Sequence, residues 1–259
     1  MSSVKTISYS MVIETSDFLH RIEANQFNLF TQKLHNGIYN LLVQFQATIV
    51  KHNDNTYEVT FNSVTNAVLC ALKLQSNFKY ITPKFDKSIR DLKLGITQGK
   101  SKKSKILATR MCEVVVNDKF VISEEVKVAY NQENNNKFIS REDIKILKLK
   151  EEMFLTLLMN HLETIWNNPD FQVSEFSHKL SLSNSQFYRK LKQLTGKSPS
   201  TFLRDFRLNR ALVMLHYKRG NIAQISNKTG FNTPAYFSKC FKHNFKILPS
   251  KYLQQHTVE

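Results

Sequence analysis

The chain has 259 residues, 41% of them apolar and 11% aromatic, with six glycines and five prolines. That composition excludes disordered and fibrous classes, and at roughly 150 residues per domain it suggests about two globular domains. Thirty-seven Lys and Arg against 21 Asp and Glu leave a net charge of +16 at pH 7, which favours a polyanionic partner such as nucleic acid or an anionic membrane surface.

The first 150 residues alternate strand and helix patterns. Val4 to Ile13 reads as a strand, and Phe27, Phe30, Leu34, Ile38, Leu41, Leu42 and Phe45 follow at three- and four-residue steps along an amphipathic helix. Thr48 to His52 and Tyr57 to Phe61 flank Asn53-Asp54-Asn55, a hairpin-type turn cluster. A helix follows through Val64, Ala67, Val68, Ala71, Leu72 and Gln75. Leu92 to Thr97, Phe120 to Ile122 and Ile144 to Leu149 are further strands, with helices near Ile106 to Val116 and Glu124 to Tyr130. The polar run Asn131 to Asn136 and the lysine-rich stretch Lys100, Lys102, Lys103, Lys105 read as solvated loops, and Gly95 and Gly99 as shaping a strand-to-loop turn.

From Glu151 strand patterns stop. Met153 to Trp166 is helical, with Leu155, Leu158, Met159, Leu162 and Trp166 on one face, so a domain boundary is expected near residue 150, giving domains 1–150 and 151–259. A short helix, Val173 to Leu180, precedes Ser183-Asn-Ser-Gln186, a capping box in which Ser183 accepts a backbone N–H and Gln186 reaches back. The helix so begun buries Phe187, Leu191 and Leu194 and stops at Gly196, a left-handed cap. Helix, short turn and capped helix make a helix-turn-helix.

About fifty residues on, the pattern recurs: Ile222, Ile225 and Thr229 on a first helix, a turn at Gly230, Thr233 as cap, Pro234 at the first helical position, and Phe237 and Phe241 buried. Between the copies, Ser198 and Pro199 start a long helix carrying Phe202, Phe206, Leu208, Ala211, Leu212 and Leu215. The outward faces of the two capped helices are Asn184, Ser185, Gln186, Tyr188, Arg189, Lys190 and Lys192, and Thr233, Ala235, Tyr236, Ser238, Lys239 and Lys242. His178 to Lys251 holds fifteen basic residues and one acid, Asp205, a net +14. Such residues suit major-groove base edges and phosphates, with double-stranded DNA as the expected partner. Arg204, Arg207 and Arg210 lie at helical spacing beside Asp205 and suit packing or a salt bridge as well as DNA.

From about Leu162 to Leu253 the chain resembles the DNA-binding domain of the AraC/XylS family of bacterial transcriptional regulators. The resemblance is carried by Ser174 to Leu215 and Ile222 to Leu253, with GF after the second turn, YFSKCFK on the last reading helix and PSKY at the close. It implies an all-α domain of two helix-turn-helix units joined by a linker helix, reading two successive major-groove segments. Lys246 stands where the family usually has glycine, Ser177 and Ser226 replace a small alanine, and Ser181 replaces a turn glycine.

Roughly residues 5 to 150 resemble a class III nucleotide cyclase domain, on Val59 to Gln75, Leu92 to Lys100 and Ile106 to Val126. The resemblance implies a ferredoxin-like, cyclase-like α/β sandwich, hence an α+β chain overall. That family's chemistry needs two metal-binding carboxylates plus an Asn and an Arg on the reacting phosphates. The first carboxylate position falls near Ile13 and Glu14, and the second at Asn55 or Asp54; Arg110 matches the arginine, and Ile106 replaces the asparagine. The domain therefore reads as catalytically silent, serving in sensing or dimerisation. The enzyme alternative is an active cyclase fused to a DNA-binding domain.

The three cysteines, Cys70, Cys112 and Cys240, are scattered and odd in number, which excludes a disulfide framework or a four-cysteine metal cage and fits a reducing compartment. Cys240 with His243 supplies two of four metal ligands, and His161, His178 and Trp166 suit packing. No signal-peptide pattern and no run of about 18 apolar residues is present, so the expectation is a cytoplasmic protein with no membrane partner and no cofactor. RNA polymerase and a homodimer through residues 1–150 are candidate further partners, and the sequence does not identify a small-molecule effector.

Overall fold

In the computed structural model the described residues are 7–15, 24–53, 55–81, 92–115, 120–135 and 143–255, with the side chains of 24–31, 79–81 and 255 outside the description. Two compact units part between Phe154 and Leu155.

The first unit is built on strand β1 (Tyr9–Thr15), helix α1 (Ala24–Gln44), the hairpin β2 (Thr48–His52) and β3 (Thr56–Phe61), helix α2 (Val64–Ile81) and β4 (Leu92–Gln98). Helix α3 (Lys102–Cys112), β5 (Phe120–Ser123), α4 (Glu124–Glu133) and β6 (Ile144–Leu147) extend it. The six strands lie in the order β2-β3-β1-β4-β5-β6. β1 pairs antiparallel with β3 and β4, and β5 is parallel to β4 and β6, with a helix in each parallel crossover.

Strand alternation sorts the two faces of this sheet. Met11, Ile13, Val59, Phe61, Leu94, Ile96 and Ile122 face a core shared with Leu34, Ile38 and Leu42 of α1, Val68 and Ala71 of α2, and Val126 and Tyr130 of α4. Val12 faces the other way, against Ala108 and Cys112 of α3. Gly95 belongs to this second face and is no turn residue: it lies inside β4, where a Cβ would stand 2.2 Å from the Ala108 carbonyl oxygen. Only a residue without a side chain admits α3 so close. Gly99, at φ +97, does turn the chain as β4 ends.

Several local expectations shift. β1 starts at Tyr9 and runs on to Thr15, whose N–H donates to Asn55 O (2.8 Å) and so extends the strand to the hairpin end; Val4 to Thr6 lie outside the described residues. The lysine stretch is not a loop beyond Ser101, because the Ser101 hydroxyl accepts the Ser104 N–H and starts α3 at Lys102. Likewise Asn131 to Glu133 continue α4, closed by Asn134 donating its N–H to Tyr130 O. Asn136, Val116 and Asp54 lie outside the described residues, as do the side chains of Phe27 and Phe30.

The second unit is all helical. Helix α5 (Leu149–Ile165) begins four residues earlier than its apolar pattern suggests, because Glu151 accepts the Lys148 N–H (2.9 Å) and organises a first turn. Leu155, Leu158, Met159 and Leu162 are its buried face. Then come α6 (Ser174–Lys179), α7 (Asn184–Thr195), α8 (Pro199–His216), α9 (Ile222–Lys228), α10 (Pro234–Phe245) and α11 (Pro249–Gln255). Helix α8 touches α7, α9, α10 and α11, which makes it the strut around which both copies assemble. No helix among the described residues is long and apolar enough to cross a membrane.

Candidate nucleic-acid interface

Each copy begins with a short helix that buries an apolar residue, followed by a capped helix that buries an aromatic. In the first, buried Phe176 of α6 stacks on Phe187 of α7 with ring centroids 5.5 Å apart. In the second, Ile225 of α9 is buried, and Phe231 of the turn meets Phe237 of α10 at 5.2 Å, which in turn meets Phe241 at 5.6 Å.

The turns match residue for residue at first. Ser181 (φ +53) and Gly230 (φ +76) take the left-handed conformation, and the next N–H, of Leu182 or Phe231, donates to Ser177 O (2.8 Å) or Ser226 O (3.1 Å). The second turn then inserts one residue, Asn232, before its cap. From the caps onward the copies run fifty residues apart: Ser183 with Thr233, Phe187 with Phe237, Leu191 with Phe241, Gly196 with Lys246, Pro199 with Pro249, and buried Phe202 with buried Tyr252. The repeat therefore extends past the capped helix into the start of the following one.

The cap of α7 is a complete box. Ser183 Oγ accepts the Gln186 N–H at 3.2 Å, and Gln186 Oε1 accepts the Ser183 N–H at 3.0 Å. Asn184 is hydrogen-bonded through its side-chain amide to the Ser177 hydroxyl. Two of the expected reading side chains are thus partly engaged in holding the helix start. Ser185, Tyr188, Arg189, Lys190 and Lys192 are exposed, and the Lys192 ammonium lies 5.7 Å from the Tyr188 ring centroid.

At α10 the Thr233 hydroxyl accepts the Tyr236 N–H (3.2 Å), and Pro234 occupies the first helical position. Ala235, Tyr236, Lys239 and Lys242 are exposed, whereas Ser238 is half-buried. Cys240, one turn on, raises the Tyr236 pKa, with Arg204 pulling the other way. Cys240 itself is buried and His243 exposed.

Arg204, Arg207 and Arg210 have structural partners. Arg207 is a strut: Nε donates to Trp166 O and Nη2 to Asn168 O, both at 2.6 Å, and burial lowers its pKa. Asp205 holds Lys197 at 2.8 Å and approaches Arg204 Nε at 3.9 Å, while Arg210 lies 5.0 Å from the Phe206 ring centroid. Sequence reasoning missed one device, a second capping box at α9, where Asn221 and Gln224 exchange bonds of 2.9 and 3.0 Å. Its signal, Asn-x-x-Gln ahead of Ile222 and Ile225, is legible.

In the first unit, Glu14 pairs in register with Thr56 and Lys93, Arg110 is buried on α3, and Ile106 is exposed. Among the described residues no three His, Cys, Asp or Glu side chains gather as a metal site.

Residues 176–255 match a family model described as a helix-turn-helix domain. A protein named histidine kinase P4 from Formosa agariphila is 35% identical over 126 residues, which are 49% of this chain and 9% of that protein. The HTH-type transcriptional activator RhaS of Mannheimia succiniciproducens is 36% identical over 75 residues, 29% of this chain and 28% of its own length. The chain thus spans less than a third of the length of either. A solved transcriptional regulator from Chromobacterium violaceum, described as having an AraC-type DNA-binding domain, covers 42% of this chain and 96% of its own, with 27% identity and a TM-score of 0.38.

Proposed function

We propose that the chain is a DNA-binding transcriptional regulator whose α7 and α10 enter successive major-groove faces of one duplex. The observation that carries this is the repeated capped helix, with Arg189, Lys190 and Lys192 on one copy and Lys239 and Lys242 on the other, all outside the core. A capped helix presents rigid side chains to base edges, and flanking cations bind phosphate. The helix-turn-helix match over 176–255 and the transcriptional activator among the relatives support the same reading. Ser185, Tyr188, Arg189, Ala235, Tyr236 and Lys239 are the proposed base readers. Thr233, Asn184 and Gln186 serve first as helix-start anchors, and Ser238 is a peripheral contact.

The first unit is proposed as a non-catalytic domain for sensing or dimerisation. Its β-α-β-β-α-β order, with β2-β3-β1-β4 side by side, supports a ferredoxin-like, cyclase-like reading. Exposed Ile106 at the asparagine position cannot hydrogen-bond phosphate, which argues against cyclase chemistry. A groove of about 530 Å³ lined by Tyr9, Glu125, Val128, Glu133 and Leu149 supports a sensory role.

Selection from a random duplex pool tests the DNA reading. The enriched site should contain two base blocks separated by about one helical turn, roughly 34 Å. Recovery of no enriched sequence by the full chain would refute sequence-specific reading.

A further inference from the structure

The two reading helices match from end to end. Each has 12 residues, an extended cap and a left-handed stop, and every residue of α7 has its counterpart fifty places on in α10. Equal length and equal buried register, Phe187 with Phe237 and Leu191 with Phe241, put counterparts at the same place on each helix surface. At 3.6 residues per turn, Arg189 and Lys239 lie roughly 200° round from the buried ring two places before them, and so stand opposite the core. Four residues to either side on the same line come Ser185 and Gln193 on α7, and Ala235 and His243 on α10, all exposed.

We infer that Gln193 and His243 are base readers too, and that the rows Ser185-Arg189-Gln193 and Ala235-Lys239-His243 select unlike base blocks, which gives the DNA site a direction. The inference rests on the DNA reading of α7 and α10 and adds what each helix selects. Arg and Lys both suit guanine through O6 and N7, so a central guanine is common to the two blocks. Gln pairs bidentately with adenine N6 and N7, whereas a neutral imidazole has one N–H to give, which suits N7 of either purine. At the other end of the row, Ala235 offers only a methyl, the match for the thymine methyl, where Ser185 offers a hydroxyl that serves donors and acceptors alike. The α7 block is therefore set by guanine and adenine, and the α10 block by thymine and guanine.

Side-chain spacing fixes base spacing. Neighbours in a row are about 6 Å apart along the helix axis, just under two base steps of about 3.4 Å. The guanine and adenine of the first block, and the thymine and guanine of the second, thus lie about two steps apart. Nothing acidic interrupts either row. Neither α7 nor α10 contains an Asp or Glu, even in the first turn, where the helix dipole favours one.

Selection from a random duplex pool with the full chain, followed by fluorescence anisotropy on the enriched site, tests the inference. Guanine is expected in both blocks, adenine in one and thymine in the other. Gln193→Ala should weaken binding about tenfold and abolish the preference for adenine over guanine in the α7 block alone. Replacing that adenine by 7-deaza-adenine, which lacks the N7 acceptor, should weaken the wild-type chain and leave Gln193→Ala unaffected. Deoxyuridine in place of the thymine removes only the methyl and should weaken binding about fourfold. His243→Ala should lower affinity through the α10 block alone. Both variants sit at exposed helical positions where alanine favours the helix, so unchanged thermal midpoints are expected. Two blocks of identical base content, or adenine selectivity that survives Gln193→Ala, overturn the inference and leave Arg189 and Lys239 as readers. Recovery of no enriched sequence removes the DNA reading itself.

Discussion

Ser177 and Ser226 hold equivalent buried places at the two turns, yet their hydroxyls have opposite fates. Ser177 Oγ donates to Ser174 O at 2.6 Å and is bonded to Asn184, whereas Ser226 Oγ has no hydrogen-bond partner. A buried hydroxyl without a partner costs about 1–3 kcal/mol. Ser226→Ala is therefore expected to stabilise the chain by roughly 1 kcal/mol in urea unfolding, while Ser177→Ala should cost about as much, because it strips a partner from Asn184. Lys246 makes a related case: it caps α10 at φ +60, the conformation Gly196 takes at φ +72 in the other copy. A side chain in that region carries a penalty of about 1 kcal/mol, so Lys246→Gly should raise the thermal midpoint. His161 packs edge-on against Phe171 and Phe176, and burial, helped by Lys179, lowers its pKa. A histidine depressed in the fold binds its proton less readily there than in the unfolded chain. Its contribution is thus present above the unfolded pKa of about 6.5 and is lost as pH falls below it. The ring-proton NMR shift of His161 should titrate below that value, and His161→Gln should flatten the acid-side loss of stability.

At the scale of elements, caps decide where helices start, and most were legible. Ser183-x-x-Gln186 marked α7 and Thr233-Pro234 marked α10 because a capping side chain and its backbone partner are close in sequence. Ser183→Ala should cost about 1 kcal/mol by removing half of a two-bond box, measured as a shift in denaturant midpoint with unchanged slope. The same logic was available for Ser101 and α3, but a cluster of lysines suggested a solvated loop and hid the cap. Hydrophobic period located the buried faces of α1, α2 and α5 and the alternation of β3. It said nothing about approach distance, and so the role of Gly95 under α3 had to come from three dimensions. Arg207 was hidden for the same reason. Nothing along α8 distinguishes a guanidinium that will bond Trp166 O from Arg204 or Arg210, which stay near the surface, since its acceptors lie some forty residues earlier.

For the molecule as a whole, the charge distribution and the bridging helix together make a quantitative demand on DNA binding. The acidic residues concentrate outside His178 to Lys251, leaving that segment at +14, so association should weaken steeply with salt, by about 0.9 log units per tenfold salt for each phosphate neutralised. If α7 and α10 grip the same duplex through the strut α8, then Arg189→Ala and Lys239→Ala should each weaken operator binding by roughly 1–3 kcal/mol where the side chain reads a base. Lys190→Ala, if that side chain meets phosphate, should instead lower affinity for all sequences and reduce the salt slope by about one unit. On that reading the two helices make separate contacts, so the losses in an Arg189→Ala, Lys239→Ala double variant should add to within about 0.5 kcal/mol. Fluorescence anisotropy on the selected operator at several fixed salt concentrations measures all of these together. Additive losses in the presence of both half-sites, with Lys239→Ala silent on a fragment lacking the α10 half, would establish two independent readers on one chain. A Lys239→Ala affinity equal to wild type on the full operator would leave α7 as the sole reader and remove the reason for the repeat.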